Sequence, residues 1–270
     1  MSIDHYENFP VASVLLPARL RTPVELIYRF ARAADDFADE GDMPDGVRLA
    51  LLAGFGDELR LIERGERSHV ALFQELAPMI QQHQLPLNLF HDLLSAFAQD
   101  VTKKRYADID EVLDYCRRSA NPVGRLLLVL YGAATAQHNA WSDRICSSLQ
   151  IINFLQDIAI DHAMGRIYMP RDDLARFGVG EQQIAAHDAG GTWLDFMSFQ
   201  VDRARRMLHE GAPLGRVLKG RIGLEMRTII AGGDRILAKI LAVDGDVFRH
   251  RPVLRAYDWP QMLIHTLSIR

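Results

Sequence analysis

Apolar residues recur along this chain at intervals of three and four, and almost nowhere do they alternate one by one. The spacing predicts helices over roughly 22–40, 47–64, 69–83, 87–99, 109–120, 125–137, 142–164, 193–210 and 215–242. Thr22-Pro23-Val24-Glu25 reads as a capping box with proline at the first helical position, and Met43-Pro44-Asp45-Gly46 as a turn. Asn121-Pro122-Val123-Gly124 interrupts one helix, which resumes at Arg125. Residues 170–192, rich in glycine, are expected to form short helices over the mouth of a cavity, and a last segment starts at Val253. The irregular arm at 4–20 should pack on the body through Tyr6, Phe9, Val14, Leu15 and Leu16. With no alternating β-branched run and no internal repeat, the fold class is all-α: one domain over 1–270, a helical bundle around a central cavity.

Two of these helices carry more than a packing face. In the stretch from Gln150 to Met164, expected to be one unbroken helix, Gln150, Asn153, Asp157 and Asp161 share a face, while Ile151, Ile152, Leu155 and Ile158 fill much of the rest. A helix apolar nearly all round is buried, so this one takes carboxylates inside, where unpaired charge is costly and calls for a cation. The helix from Thr22 repeats the geometry with Tyr28, Arg32, Asp35 and Asp39. Facing each other, the two pairs offer four hard oxygen donors, a set that suits Mg²⁺ bridging to a diphosphate. Arg166, just past the second helix, is placed to pair with phosphate.

Composition adds limits. Of 270 residues 49% are hydrophobic, enough for a sizeable core, and a net charge of −4 leaves no footprint for nucleic acid. Two cysteines, Cys116 and Cys146, read as reduced thiols. No signal peptide and no apolar run of membrane-spanning length is seen, so a soluble, cytoplasmic protein is expected. Glu66-Arg67-Ser68-His69 has the Glu-x-x-His spacing of a di-iron bundle, but it occurs once and beside a turn, where such bundles need it twice.

At these residues the chain resembles the squalene/phytoene synthase family. The family's first signature appears as Tyr28, Arg32, Asp35, Asp36 and Asp39, and its second as Gln150, Asn153, Asp157, Asp161, Arg166 and Tyr168. Tyr115-Cys116 with Ala120 and Gly124 is similar to its middle helix. The resemblance implies that Asp35, Asp39, Asp157 and Asp161, with Asn153, hold Mg²⁺ against the diphosphate of a lipophilic prenyl substrate. It implies that Tyr28, Arg32, Tyr115, Gln150, Asn153 and Arg166 bind that substrate, and that Tyr168 belongs to the catalytic set. An apolar, aromatic-lined cavity is expected around the carbocation, with Phe30, Phe37 and Phe154 contributing.

Departures narrow the branch. Gln156 stands where relatives often have a basic residue, which removes a charge from diphosphate binding. The Asn121-Pro122 break and the opening His5-Tyr6-Glu7-Asn8-Phe9-Pro10 resemble the hopanoid-pathway branch that forms hydroxysqualene. There, presqualene diphosphate ionises, rearranges and is captured by water, and Asn121 is the expected polar neighbour of the cation. Head-to-head condensation of two prenyl diphosphates, to presqualene diphosphate or phytoene, is the alternative within the family. A non-catalytic helical scaffold is the alternative outside it. A greasy substrate also suits peripheral contact with the inner membrane face and with other enzymes of the squalene pathway.

Overall fold

The computed structural model describes residues 16–268, and the expected packing of Tyr6, Phe9, Val14 and Leu15 lies outside them. Five helices build the first half: α1 (Ala18–Asp39), α2 (Asp45–Glu63), α3 (Ala71–His83), α4 (Leu87–Thr102) and α5 (Ile109–Ser119). The centre holds α6 (Asn121–Leu130), α7 (Ala136–Gln156) and α8 (Ile158–Ala163). Two short helices follow, α9 (Arg171–Phe177) and α10 (Glu181–Ala185), then α11 (Trp193–Gly211), α12 (Leu214–Val217), α13 (Gly220–Ala242) and α14 (Trp259–Ser268). Among the described residues no strand forms, and one isolated parallel bridge joins Arg105 to Ile167. The all-α expectation holds.

Several boundaries differ for physical reasons. α1 begins four residues before Thr22, so Pro23 lies in its first turns rather than at a capped start. Asn121-Pro122 opens α6 instead of interrupting a helix: proline sits where its missing N–H is not needed, and the helix ends at Leu130. The helix expected to run unbroken to Met164 stops at Asp157, whose backbone (φ −110°, ψ 16°) separates α7 from α8. Asp108 caps α5, accepting from the Glu111 N–H.

The buried residues form two apolar clusters. One gathers α1–α4 around Phe30, Phe73, Phe90 and Leu93; the other gathers α5, α7, α11 and α13 around Ile152, Leu155, Trp193 and Leu237. Helices α6 and α7 join them at close range, because Gly124 has no Cβ: one built there would strike Ser142 Oγ and Cys146 Sγ. Both cysteines are buried and free, and burial pushes the Cys146 thiol up to about 12, so it packs as an inert small apolar group. α1 from one cluster and α7 from the other face each other across the seam. The polar stripes of both meet there.

Candidate active site

Residues of α1, α4, α5, α7 and α8 and of the loop after α13 line a polar cavity of about 560 Å³. Nearly all the site residues expected from sequence are here: Arg32, Asp35, Asp39, Tyr115, Gln150, Asn153, Asp157, Asp161, Arg166 and Tyr168. Tyr28 lies deeper, in an adjoining cavity of about 240 Å³ that shares Arg32, Asp35, Tyr115, Gln150 and Asn153 with the first. A third, apolar cavity of about 120 Å³ shares Tyr28, Ala31, Val123 and Cys146 with the second. The three therefore form one channel, polar at the mouth and greasy at depth. This shape suits a molecule with a charged head and a hydrocarbon tail.

Arginines hold the carboxylates at the mouth. Arg166, buried against the protein, grips Asp39 with both Nη atoms, and its Nε makes no hydrogen bond. Arg251 reaches in from the loop after α13 and pairs with Asp157 through Nε (2.5 Å) and Nη2 (3.1 Å). Arg32 spans Asp35 (3.3 Å), Asp36 (2.8 Å) and Glu40 (2.6 Å). In this arrangement no three His, Cys, Asp or Glu side chains among the described residues cluster closely enough to hold an ion. Asp161 shows why a cation is nevertheless wanted. Burial, reinforced by the charge of Asp157, pushes its carboxyl up to about 8. A divalent ion between the two would favour their charged forms, so the oxygen-only donor set fits Mg²⁺.

Asp100 of α4 was not legible as a site residue. It is buried, lines the polar cavity and accepts from Tyr115 (2.6 Å) and Tyr168 (2.7 Å). Burial raises its carboxyl to about 6, against the pull of the two hydroxyls. Phe154 stacks on Tyr168 with ring centroids 3.9 Å apart and planes 5° from parallel. The rings of Tyr115, Phe154 and Tyr168 form a wall of the mouth. The sequence signal of Asp100 is faint, since a lone aspartate on an amphipathic helix normally faces water.

Other expectations fall elsewhere. Asn121 is buried, accepts from Ser147 Oγ (2.9 Å) across the α6–α7 contact, and lines none of the three cavities. Gln156 turns away from the mouth and donates to the Pro252 carbonyl (2.7 Å), pinning the loop that carries Arg251. Arg251, on that pinned loop, brings a positive charge to the mouth beside Asp157. Phe30 and Phe37 belong to an aromatic cluster with Phe55, Phe73 and Phe90, away from the channel. The helices α9 and α10 contribute no lining residue; they pack on α11 and α8.

Residues 4–258 match the family model for squalene/phytoene synthases. The chain belongs to this family. It is similar to the hydroxysqualene synthase of Rhodopseudomonas palustris, 38% identical over 240 residues that cover 88% of this chain and 80% of that protein. The hydroxysqualene synthase of Sinorhizobium fredii is 35% identical over 236 residues, with coverage of 87% and 79%. Among solved structures, a squalene synthase from Alicyclobacillus acidocaldarius superimposes with a TM-score of 0.81 at 36% identity, covering 89% of this chain and 90% of that one. A ligand-bound dehydrosqualene synthase at 21% identity shares the fold, with a TM-score of 0.84 and coverage of 94% and 88%. The chain is an enzyme of the squalene synthase type.

Proposed function

We propose that this enzyme converts presqualene diphosphate to hydroxysqualene, with Mg²⁺, by loss of diphosphate, rearrangement of the cation and capture by water. The observation that carries the reading is the channel, in which an arginine- and carboxylate-lined mouth opens directly into an apolar interior. Similarity to hydroxysqualene synthases over most of both chains supports the same branch.

Asp35, Asp39, Asp157 and Asp161, with Asn153, would hold Mg²⁺, which when bound neutralises the departing diphosphate. Arg32, Arg166 and Arg251 already stand at those carboxylates and would turn their N–H groups to the diphosphate oxygens. The cation left behind faces the rings of Tyr115, Phe154 and Tyr168, whose π faces favour positive charge where water is sparse. Asp100, with the hydroxyls of Tyr115 and Tyr168, is the polar group beside this wall and takes the place expected of Asn121. It would hold the capturing water and accept the proton released as the C–O bond forms. A carboxyl near 6 suits a base working near neutral pH.

The test is product analysis by mass spectrometry with Mg²⁺ and no nicotinamide reductant. An alcohol formed from presqualene diphosphate is the expected result. Turnover of farnesyl diphosphate to presqualene diphosphate, with no alcohol, would move the enzyme to the condensing branch. Peripheral contact with a membrane belongs to the same reading: no described helix is long and apolar enough to cross one, but α14 bares an apolar face.

A further inference from the structure

One buried charge takes no part in the chemistry above. Glu225 of α13 is 7% exposed and lines the apolar cavity, among Val24, Ile27, Leu127, Ile222, Met226 and Ile229. It lines neither of the two shallower cavities. Depth follows from the helices. Asp157 marks the mouth and Ser142 the deep cavity on the same helix, about 22 Å apart at about 1.5 Å per residue. Helix α13 runs alongside, with Gly233 against Leu149 and Ile152, so Glu225, about 12 Å further along, is level with the Ser142 end. Tyr131 is at the same end, and burial together with the charge of Glu225 pushes its hydroxyl above the usual phenol range.

A carboxylate in a greasy cavity is costly to keep, and costlier still when hydrocarbon strips the solvation or pairing it has. A prenyl tail that ends short of it packs against the apolar walls alone. A tail one isoprene unit longer must press against the charge. We infer that Glu225 is a specificity-determining residue that limits the length of the prenyl tail the channel accepts. The inference rests on the reading of the channel as a prenyl-tail site.

The experiment compares wild type with Glu225→Met, which keeps the volume and removes the charge, and Glu225→Gln, which keeps the shape and a polar end. Binding of farnesyl and geranylgeranyl thiodiphosphate with Mg²⁺, measured by calorimetry without turnover, gives the ratio of affinities for the two lengths. The same ratio is read from kcat/KM on presqualene diphosphate and its homologue built from two geranylgeranyl chains. Wild type should favour the shorter tail. Glu225→Met should shift the ratio toward the longer one by about tenfold or more, through binding and KM, with kcat on presqualene diphosphate held. Glu225→Gln should fall between. An unchanged ratio in a folded Glu225→Met overturns the inference, as does a proportionate loss on both lengths in both variants. A wild type that binds neither thiodiphosphate would instead refute the reading of the channel itself.

Discussion

At the scale of single residues the site is a set of charges held in check. Asp161 sits half-buried beside Asp157 with its carboxyl pushed up to about 8, a state that cation binding would relieve. Asp161→Asn is expected to lower kcat by about a hundredfold or more. It should also abolish the stabilisation that Mg²⁺ with inorganic diphosphate gives wild type in thermal unfolding, about 2.7 kcal/mol at a hundredfold excess over Kd. Asp100 makes a prediction of opposite character. Its folded-state pKa of about 6 lies above the ordinary value of 3.8, so the folded protein binds that proton more tightly than the unfolded chain. The stability this confers is complete below about pH 4 and is lost as pH rises through about 6. Relative to Asp100→Asn, wild type should therefore lose up to roughly 3 kcal/mol between pH 4 and pH 7, measured by urea unfolding at each pH. A constant difference would refute it. The two carboxylate pairs were legible because helical spacing alone puts them on shared faces. Asp100 and Arg251 were not. Each owes its place to tertiary packing, Asp100 to a crossing of α4 with α5 and Arg251 to a loop pinned by Gln156.

At the scale of elements, periodicity recovered most helices, and the misses fall where apolar spacing does not decide. The stretch Gln156-Asp157-Ile158 contains no helix breaker, yet the chain bends there and Arg251 takes the Asp157 carboxylate. Local propensity is a weak prior against such contacts. The Asn121-Pro122 pair reads as a break in sequence and is a helix start in the fold, because proline serves either role and only the neighbouring turn decides. The last helix depends on a charge cluster that periodicity does not report. Asp258, fully buried, accepts from Arg235 (2.7 Å), Lys239 (2.5 Å) and the Arg255 N–H (2.7 Å), and these bonds hold its carboxyl down at about 2 against the cost of burial. Asp258→Asn would leave two cations facing a neutral amide, a loss of about 3–5 kcal/mol for a broken buried pair. The loss should fall on α14 first: hydrogen exchange is expected to accelerate in residues 256–268 while α7 and α11 stay protected.

At the scale of the whole molecule, two apolar clusters meet along a seam, and the seam is the channel. Such an enzyme must take its substrate from somewhere greasy, and among the described residues α14 offers a place for that contact. On α14, Met262 and Thr266 face inward, whereas Trp259, Leu263 and Ile264 are 52%, 52% and 71% exposed, next to Tyr257 at 64%. Large apolar side chains so exposed on one helix mark an interaction face. Exposed Arg255 stands in the loop before it, which suits anionic headgroups at about 1 kcal/mol, while Arg249 in the same loop is paired with Asp246 (2.9 Å). The loop also carries Arg251, so a bilayer engaged here would lie along the same loop that reaches the mouth of the channel. Wild type is expected to sediment with vesicles containing anionic lipid, with a blue shift in the emission of Trp259. Leu263→Asp combined with Ile264→Asp should abolish sedimentation and leave turnover of detergent-dispersed substrate unchanged, since neither side chain touches the channel. Sedimentation that survives both substitutions would place the contact elsewhere. Loss of turnover in detergent would instead mean that α14 shapes the channel itself.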